Sequence, residues 1–287
     1  MINLFFNNKG PFKIKNLLVL SRIVFEKNLN DEEVSDIKDL LTAKKYDISF
    51  FHSKKYESLA SKTNASYCIT TKNLTHILPK TCVPIIVEDV LLSIAKITKF
   101  FYPDAVTDDF DKNISDIIET PLEKIITHGK NVLVGRGIQV GKNCLIGHNS
   151  IIESNVIIGD NCSIGSNVII RNTIIKNNVS ILDGCVIGKK GFGFFPGKEK
   201  NFRYPHIGTV IIEDNCEIGC GSTIDRGSLS NTVIGKNTYI DNQVHIAHNN
   251  KIGNNCIIAG QVGFAGSSKL GNNVMIGGQA GISGHLE

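Results

Sequence analysis

Two histidines three residues apart, His245 and His248 in the run VHIAHNN, and a third, His285 in SGHLE, are the side chains best suited to chemistry near neutral pH. Imidazole titrates near pH ~6.5, so it can take a proton from a nucleophile or bind zinc through a neutral nitrogen. Both chemistries need further groups. Acyl transfer with a general base calls for backbone N–H groups around a developing oxyanion, and zinc calls for further ligands. Gly266 stands eighteen residues after His248, and Gly284 eighteen further on. Asn242, Gly260 and Gly278 repeat the same interval. Its meaning depends on the elements that carry it.

Those elements are repeats. An aliphatic residue, once a phenylalanine, recurs every sixth position through Val134, Val140, Ile146, Ile152, Ile158, Ile164 and Ile170. The phase slips by one at Ile175, Ile181 and Ile187, then resumes at Ile212, Ile218 and Ile224. It runs on through Ile234, Ile240, Ile246, Ile252, Ile258, Phe264, Leu270, Ile276 and Ile282. A compact residue such as Ser150, Cys162, Cys216, Ser222 or Cys256 sits four places on. This period predicts a parallel β-helix, in which short strands turn at corners and stack coil on coil. With three hexads per coil, residues eighteen apart lie above one another at about 4.8 Å per coil. His248, two places after the inward Ile246, then points outward onto a column cleared by Gly266 and Gly284. His285 lies two coils away, about 9–10 Å along the axis. Bare glycine columns admit a ligand backbone closely. Periodicity thus predicts a groove with a histidine at one end. Acyl transfer, metal-dependent hydration through His245, His248 and His285, and non-catalytic binding of a sugar nucleotide all fit such a groove.

The 287 residues suit two domains, and a net charge of +4 carries no nucleic-acid footprint. The eight cysteines form no CxxC pair, and Cys162, Cys216 and Cys256 read as small apolar fillers in a reduced, cytoplasmic protein. No signal peptide or transmembrane stretch is evident. Abundant Asn, Lys and Ile read as base-composition bias rather than chemistry. Residues 1–103 lack the hexad and read as a small α/β domain. Within it, NDEEVSDIKDLLTAKKYD is expected to be a helix capped by Asn30 or Asp31, SYCITT and VPIIVED strands, and VLLSIAKITKFFY an amphipathic helix. Residues 104–127 read as an irregular acidic linker, and 128–287 as the solenoid. The solenoid is interrupted by KKGFGFFPGKEKNFRYPHIGT, an excursion from a corner.

The stretches GFGF, HIGTVIIEDNCEIGCGSTIDRGSL, DNQVHIAHN and GQAGISGHLE, in that order and spacing, resemble the UDP-3-O-(3-hydroxyacyl)glucosamine N-acyltransferases of lipid A biosynthesis. The similarity is most specific over residues 190–287 and extends weakly to SFFHSKKYESL and PIIVEDVLLSIAKI. It implies a left-handed parallel β-helix after the α/β domain, and a homotrimer with active sites in grooves between subunits. It implies transfer of a 3-hydroxyacyl chain from acyl carrier protein to the 2-amino group of a UDP-linked, 3-O-acylated glucosamine. No metal or redox cofactor, no nucleic-acid partner and at most peripheral membrane contact are implied. By the same resemblance His248 is the general base, Gly266 the oxyanion donor and His285 the second active-site histidine. Asp241 and Asn242 lie near the sugar and base, and Phe50 and Tyr56 hold uracil. Ser53 stands where the family usually has Asn, and Asn250 where an inward apolar residue is usual. The sequence ends at Glu287 in mid-repeat, whereas the family continues through further coils and C-terminal helices, so weak carrier docking is expected.

Overall fold

A computed structural model describes residues 3–25, 29–196, 199 and 201–286. The chain divides into two compact units: residues 1–107 with 193–205, and residues 108–192 with 206–287.

The first unit carries a four-stranded parallel sheet, Asp36–Ile37, Asp47–Phe51, Tyr67–Thr70 and Val83–Ile86, in that order. Ile37, Ile48, Phe51, Cys68 and Ile69 are fully buried within it. The expected amphipathic helix spans Val90–Phe101, packs on the sheet and buries Ile94, Ile97 and Phe101, the last edge-on to Phe12 at 5.1 Å. Its first turn is capped by Asp89, whose Oδ1 accepts from the Leu92 N–H at 2.9 Å. The helix expected over NDEEVSDIKDLLTAKKYD does not form. Glu33–Val34 pairs antiparallel with Phe12–Lys13, Asp36–Ile37 joins the parallel sheet, and Asp39 caps a turn by accepting from Leu41 and Thr42. Val34, Ile37 and Leu40 are spaced like a helix face, but strand pairing with distant segments overrides local propensity.

The second unit is a left-handed parallel β-helix of three sheets with six, eight and nine strands. Stacked positions lie 18 residues apart in the regular coils and 17 at the phase slip. The spacing widens to 37 across the excursion and to 22 across a second, four-residue insertion at Asp225–Ser230. Most corners place an Asn in left-handed conformation, as at Asn237, Asn255 and Asn273 with φ of 54°, 56° and 59°. Asn tolerates this region, and its amide hands a hydrogen bond to the next coil: Asn237 to Asn255 at 2.9 Å, Asn255 to Asn273 at 3.1 Å. The asparagine content is therefore architectural at these corners, not mere composition bias.

The compact inward residues also have a sharper role than apolar filling. Ser150 Oγ donates to Gly165 O at 2.8 Å, Thr238 Oγ1 to Gly253 O at 2.9 Å, and Cys216 Sγ to Gly235 O at 3.1 Å. Each satisfies a corner carbonyl of the next coil that would otherwise be buried without a donor. Burial raises the thiols of Cys162 and Cys216 to about 11, so they keep the proton they donate. Asn250 finds the partners its inward position demands. Its amide donates to Ala247 O at 2.7 Å and Ala265 O at 3.1 Å, and its Oδ1 accepts from the Ser268 N–H at 3.2 Å. Asn250→Val should therefore destabilise the solenoid by about 1–3 kcal/mol. Guanidinium denaturation followed by far-UV dichroism measures this, and an unchanged transition would refute the role.

The stretch expected as an irregular acidic linker is tied down over much of its length. Ile114–Asp116 pairs antiparallel with Leu133–Gly135, and Thr127–His128 already belongs to the stacked coils. Asp111 Oδ2 accepts from the Ser154 N–H at 2.8 Å, and half-buried Asp108 lies among Arg171, Lys189 and Arg226. Asp108 has its counter-charges at positions distant in sequence, which composition along the chain could not reveal. No helix among the described residues is long and apolar enough to cross a membrane.

Candidate active site

His248 lies at a corner just after the strand His245–Ile246, whose Ile246 is fully buried inside the coil. Its Nδ1 is 2.8 Å from Asn249 Oδ1. The orientation of that amide follows from its other contacts. Asn249 Nδ2 lies 3.3 Å from Ser230 O, which can only accept, and its Oδ1 lies 3.0 Å from the Ser228 N–H, which can only donate. Oδ1 therefore faces the imidazole, the ring proton sits on Nδ1, and Nε2 carries the free lone pair. Ser228 and Ser230 belong to the four-residue insertion, so this departure from the repeat fixes the tautomer of His248.

Space around the ring is made by glycines. A Cβ on Gly266 would lie 2.7 Å from His248 Cε1 and 2.8 Å from Nε2. One on Gly191, at the base of the excursion, would lie 2.6 Å from His248 Cβ. The His206 ring packs at 4.9 Å centroid distance and 47°. Burial holds the His248 pKa below 6.5; the Asn249 bond opposes this, and nearby His285 and His245 add to it. His285 adopts φ of 60° at its corner and donates its N–H to Gly266 O at 3.2 Å. Among the described residues, the Gly266 N–H donates to no protein acceptor.

Asp241 and Asn242 occupy the preceding corner, at the opposite edge of the face bearing His245, rather than against His248. A Cβ on Gly260 would lie 3.1 Å from Asp241 Oδ2, and Asn242 Oδ1 accepts from the Cys220 N–H at 2.7 Å. Between the two corners runs a third bare column, Gly263 and Gly281, in register above His245 with nothing within 4 Å of either notional Cβ. The interval of eighteen could have revealed it. His245 itself turns to Thr223, with Nδ1 2.7 Å from Oγ1, and its Nε2 lies 3.9 Å from Asp225 Oδ2. With His245 directed there and His248 bound to Asn249, the three histidines do not converge. No group of three His, Cys, Asp or Glu among the described residues is arranged to hold a metal ion.

In the first unit, Phe50, Ser53 and Tyr56 lie at and just beyond the carboxyl end of the strand Asp47–Phe51, the end where open parallel sheets bind ligands. The His52 ring stands between the two aromatics, 5.8 Å from Phe50 and 5.4 Å from Tyr56. Ser53 Oγ accepts from the Lys55 N–H at 3.4 Å and so caps the turn Lys54–Tyr56. Tyr56 packs in part on the cluster around Leu40, Phe51 and Cys68. The spacing of Phe50, Ser53 and Tyr56 gave no sign of the intervening imidazole.

Residues 137–172 and 231–266, within the coils that carry the histidine and its facing glycines, match the bacterial transferase hexapeptide family. Residues 31–100 match the family described as UDP-3-O-(3-hydroxymyristoyl) glucosamine N-acyltransferase, LpxD. UDP-3-O-acylglucosamine N-acyltransferase 2 of Legionella pneumophila is 39% identical over 246 residues, 84% of this chain and 71% of that protein. The Bradyrhizobium diazoefficiens UDP-3-O-acylglucosamine N-acyltransferase is 57% identical over 67 residues, 23% of this chain and 19% of that protein. Among solved structures, a UDP-N-acetylglucosamine acyltransferase from Campylobacter jejuni aligns at 25% identity and TM-score 0.49, over 55% of this chain and 61% of that one. The chain belongs to the UDP-3-O-acylglucosamine N-acyltransferase family.

Proposed function

We propose that the protein transfers a 3-hydroxyacyl chain from the phosphopantetheine thioester of acyl carrier protein to the 2-amino group of UDP-3-O-(3-hydroxyacyl)glucosamine, in the cytoplasm. The observation that carries this reading is the fixed tautomer of His248, which leaves Nε2 basic beside the space kept clear by Gly266. The acceptor amine attacks the thioester carbonyl as its free base. As the N–C bond forms, the excess proton of the nitrogen passes to Nε2. The Gly266 N–H stabilises the oxyanion. As the C–S bond breaks, the imidazolium returns the proton to the departing thiolate. Amide and thiol result, with no electron transfer and no cofactor beyond the carrier's own arm. His285, one residue past the glycine column, positions the substrate.

The active unit is a homotrimer in this reading. Exposed Tyr239, Ile257 and Met275 stack in register on one face, and Ile157, Ile174, Ile211 and Val233 stack on another. Apolar columns of this kind suit burial against further copies of the chain. The test of function is mass-spectrometric. Acyl-carrier thioester should be consumed only with the UDP-3-O-acylglucosamine acceptor, yielding an N-acyl product. Acceptor-independent hydrolysis, or no consumption, would end the reading.

Phe50 and Tyr56 bind the uracil end. An aromatic contact with a base contributes roughly 1–3 kcal/mol, about 5- to 150-fold in Kd. Tyr56→Ala and Phe50→Ala should each weaken UMP binding within that range by calorimetry. Unchanged affinity in both would assign the rings to the core.

A further inference from the structure

The excursion leaves the coil at Gly188 and returns at His206, and one side chain holds both points. Arg226, only 1% exposed, donates from Nη1 to Gly188 O at 3.1 Å and from Nε to His206 O at 3.0 Å. The same Nη1 lies 2.9 Å from Asp108 Oδ1, and Asp108 also faces Lys189 at 3.3 Å and Arg171 at 3.7 Å. A buried guanidinium is costly unless its donors are matched, and a planar fork is the shape that reaches several fixed acceptors at once. The chain is shaped for this. Gly188 has φ of 83°, and a Cβ there would collide with Arg171 O at 1.6 Å. On the return, the Ile207 N–H donates to Ser228 O at 2.7 Å and the Gly208 N–H to Gly227 O at 2.9 Å. His206, also 1% exposed, is thus held by its backbone while its ring lies 4.9 Å from that of His248.

We propose that His206 is a positioning residue for the reaction: its ring walls His248 off from water and fixes its plane, and buried Arg226, paired with Asp108, holds it there. The assignment rests on the reading of His248 as the base. The point where the chain rejoins the coil, at His206, is then part of the catalytic apparatus, because it completes the wall around the imidazole. The other titratable groups acting on His248 are His245 and His285, and its direct partner Asn249 is uncharged.

The burial that keeps His248 below its ordinary pKa includes this wall. The test follows the His248 Cε1–H resonance through a pH titration, alongside kcat and acceptor KM, in His206→Ala, His206→Phe and Arg226→Met. In His206→Ala the titration should move up toward 6.5 and kcat should fall at least about tenfold with KM little changed. His206→Phe keeps the ring and should hold both near wild type. Arg226→Met should behave like His206→Ala. If it does not fold, Asp108→Asn, which weakens the anchor and keeps its hydrogen-bonding shape, should show the same shift in smaller degree. An unshifted His248 in His206→Ala would overturn the proposal, and so would a His206→Phe protein shifted as far as the alanine variant. The titration needs no substrate. A wild type without transferase activity but with the expected shifts would overturn the acyl-transfer reading and uphold the placement of His206.

Discussion

His248→Ala should lower kcat by roughly 10²–10⁴ while the solenoid stays folded. The fold should survive because the ring contributes nothing to the stacked core. Ile246 and Val244 fill the inward positions there, and the corner is held by Asn249, whose N–H reaches Thr232 Oγ1 at 2.9 Å. What is lost is the acceptor for the amine's proton. The Gly266 N–H and the bound substrates remain, so residual transfer should persist with little change in acceptor KM. Steady-state kinetics beside a dichroism spectrum decides the matter. A folded His248→Ala protein with near wild-type kcat would end the mechanism.

Gly266→Ala should be nearly as damaging, for a steric reason. The added methyl would lie 2.7 Å from Cε1 and 2.8 Å from Nε2 of His248, closer than side-chain carbons approach other heavy atoms. The imidazole must swing away or the Asn249 bond must break, since Gly191 closes the other side. A displacement near 1 Å at the reacting group costs about 10² in rate. The position carries no left-handed φ, so alanine is tolerated by the backbone and the loss should appear in kcat rather than stability. Gly271→Ala, outside the glycine columns of the groove, is the control, because its notional Cβ meets nothing within 4 Å. Equal kinetics in both variants would show that the crowding at Gly266 has no catalytic meaning.

The β-helix was legible because six-residue periodicity is a local signal repeated many times. The same period puts His248, Gly266 and Gly284 in one column. Its failures have physical causes. The segment after Asn30 looks helical because Val34, Ile37 and Leu40 recur at three-residue spacing, yet its partners lie at Phe12–Lys13 and Asp47–Phe51. Asparagine looked like compositional bias because left-handed φ leaves no apolar trace in sequence. His206 and Arg226 stand inside the motif HIGTVIIEDNCEIGCGSTIDRGSL, but spacing gives no sign of their roles, which act through separations of 20 and 118 residues. The insertion that carries Ser228 and Ser230 was visible only as a gap between Ile224 and Ile234, though it sets the proton on His248.

The pH dependence of acyl transfer in wild type and His248→Ala, measured side by side, tests the assignment of the base most directly. A lowered pKa means that imidazole stays neutral into more acidic solution, so the base remains competent until pH falls below 6.5. The acceptor amine also titrates, but its limb belongs to the substrate and should persist in both proteins. Wild type should therefore show an additional acid limb below 6.5, and His248→Ala should lack it while its residual rate follows the amine alone. An acid limb that survives unchanged in His248→Ala would place the base on another residue.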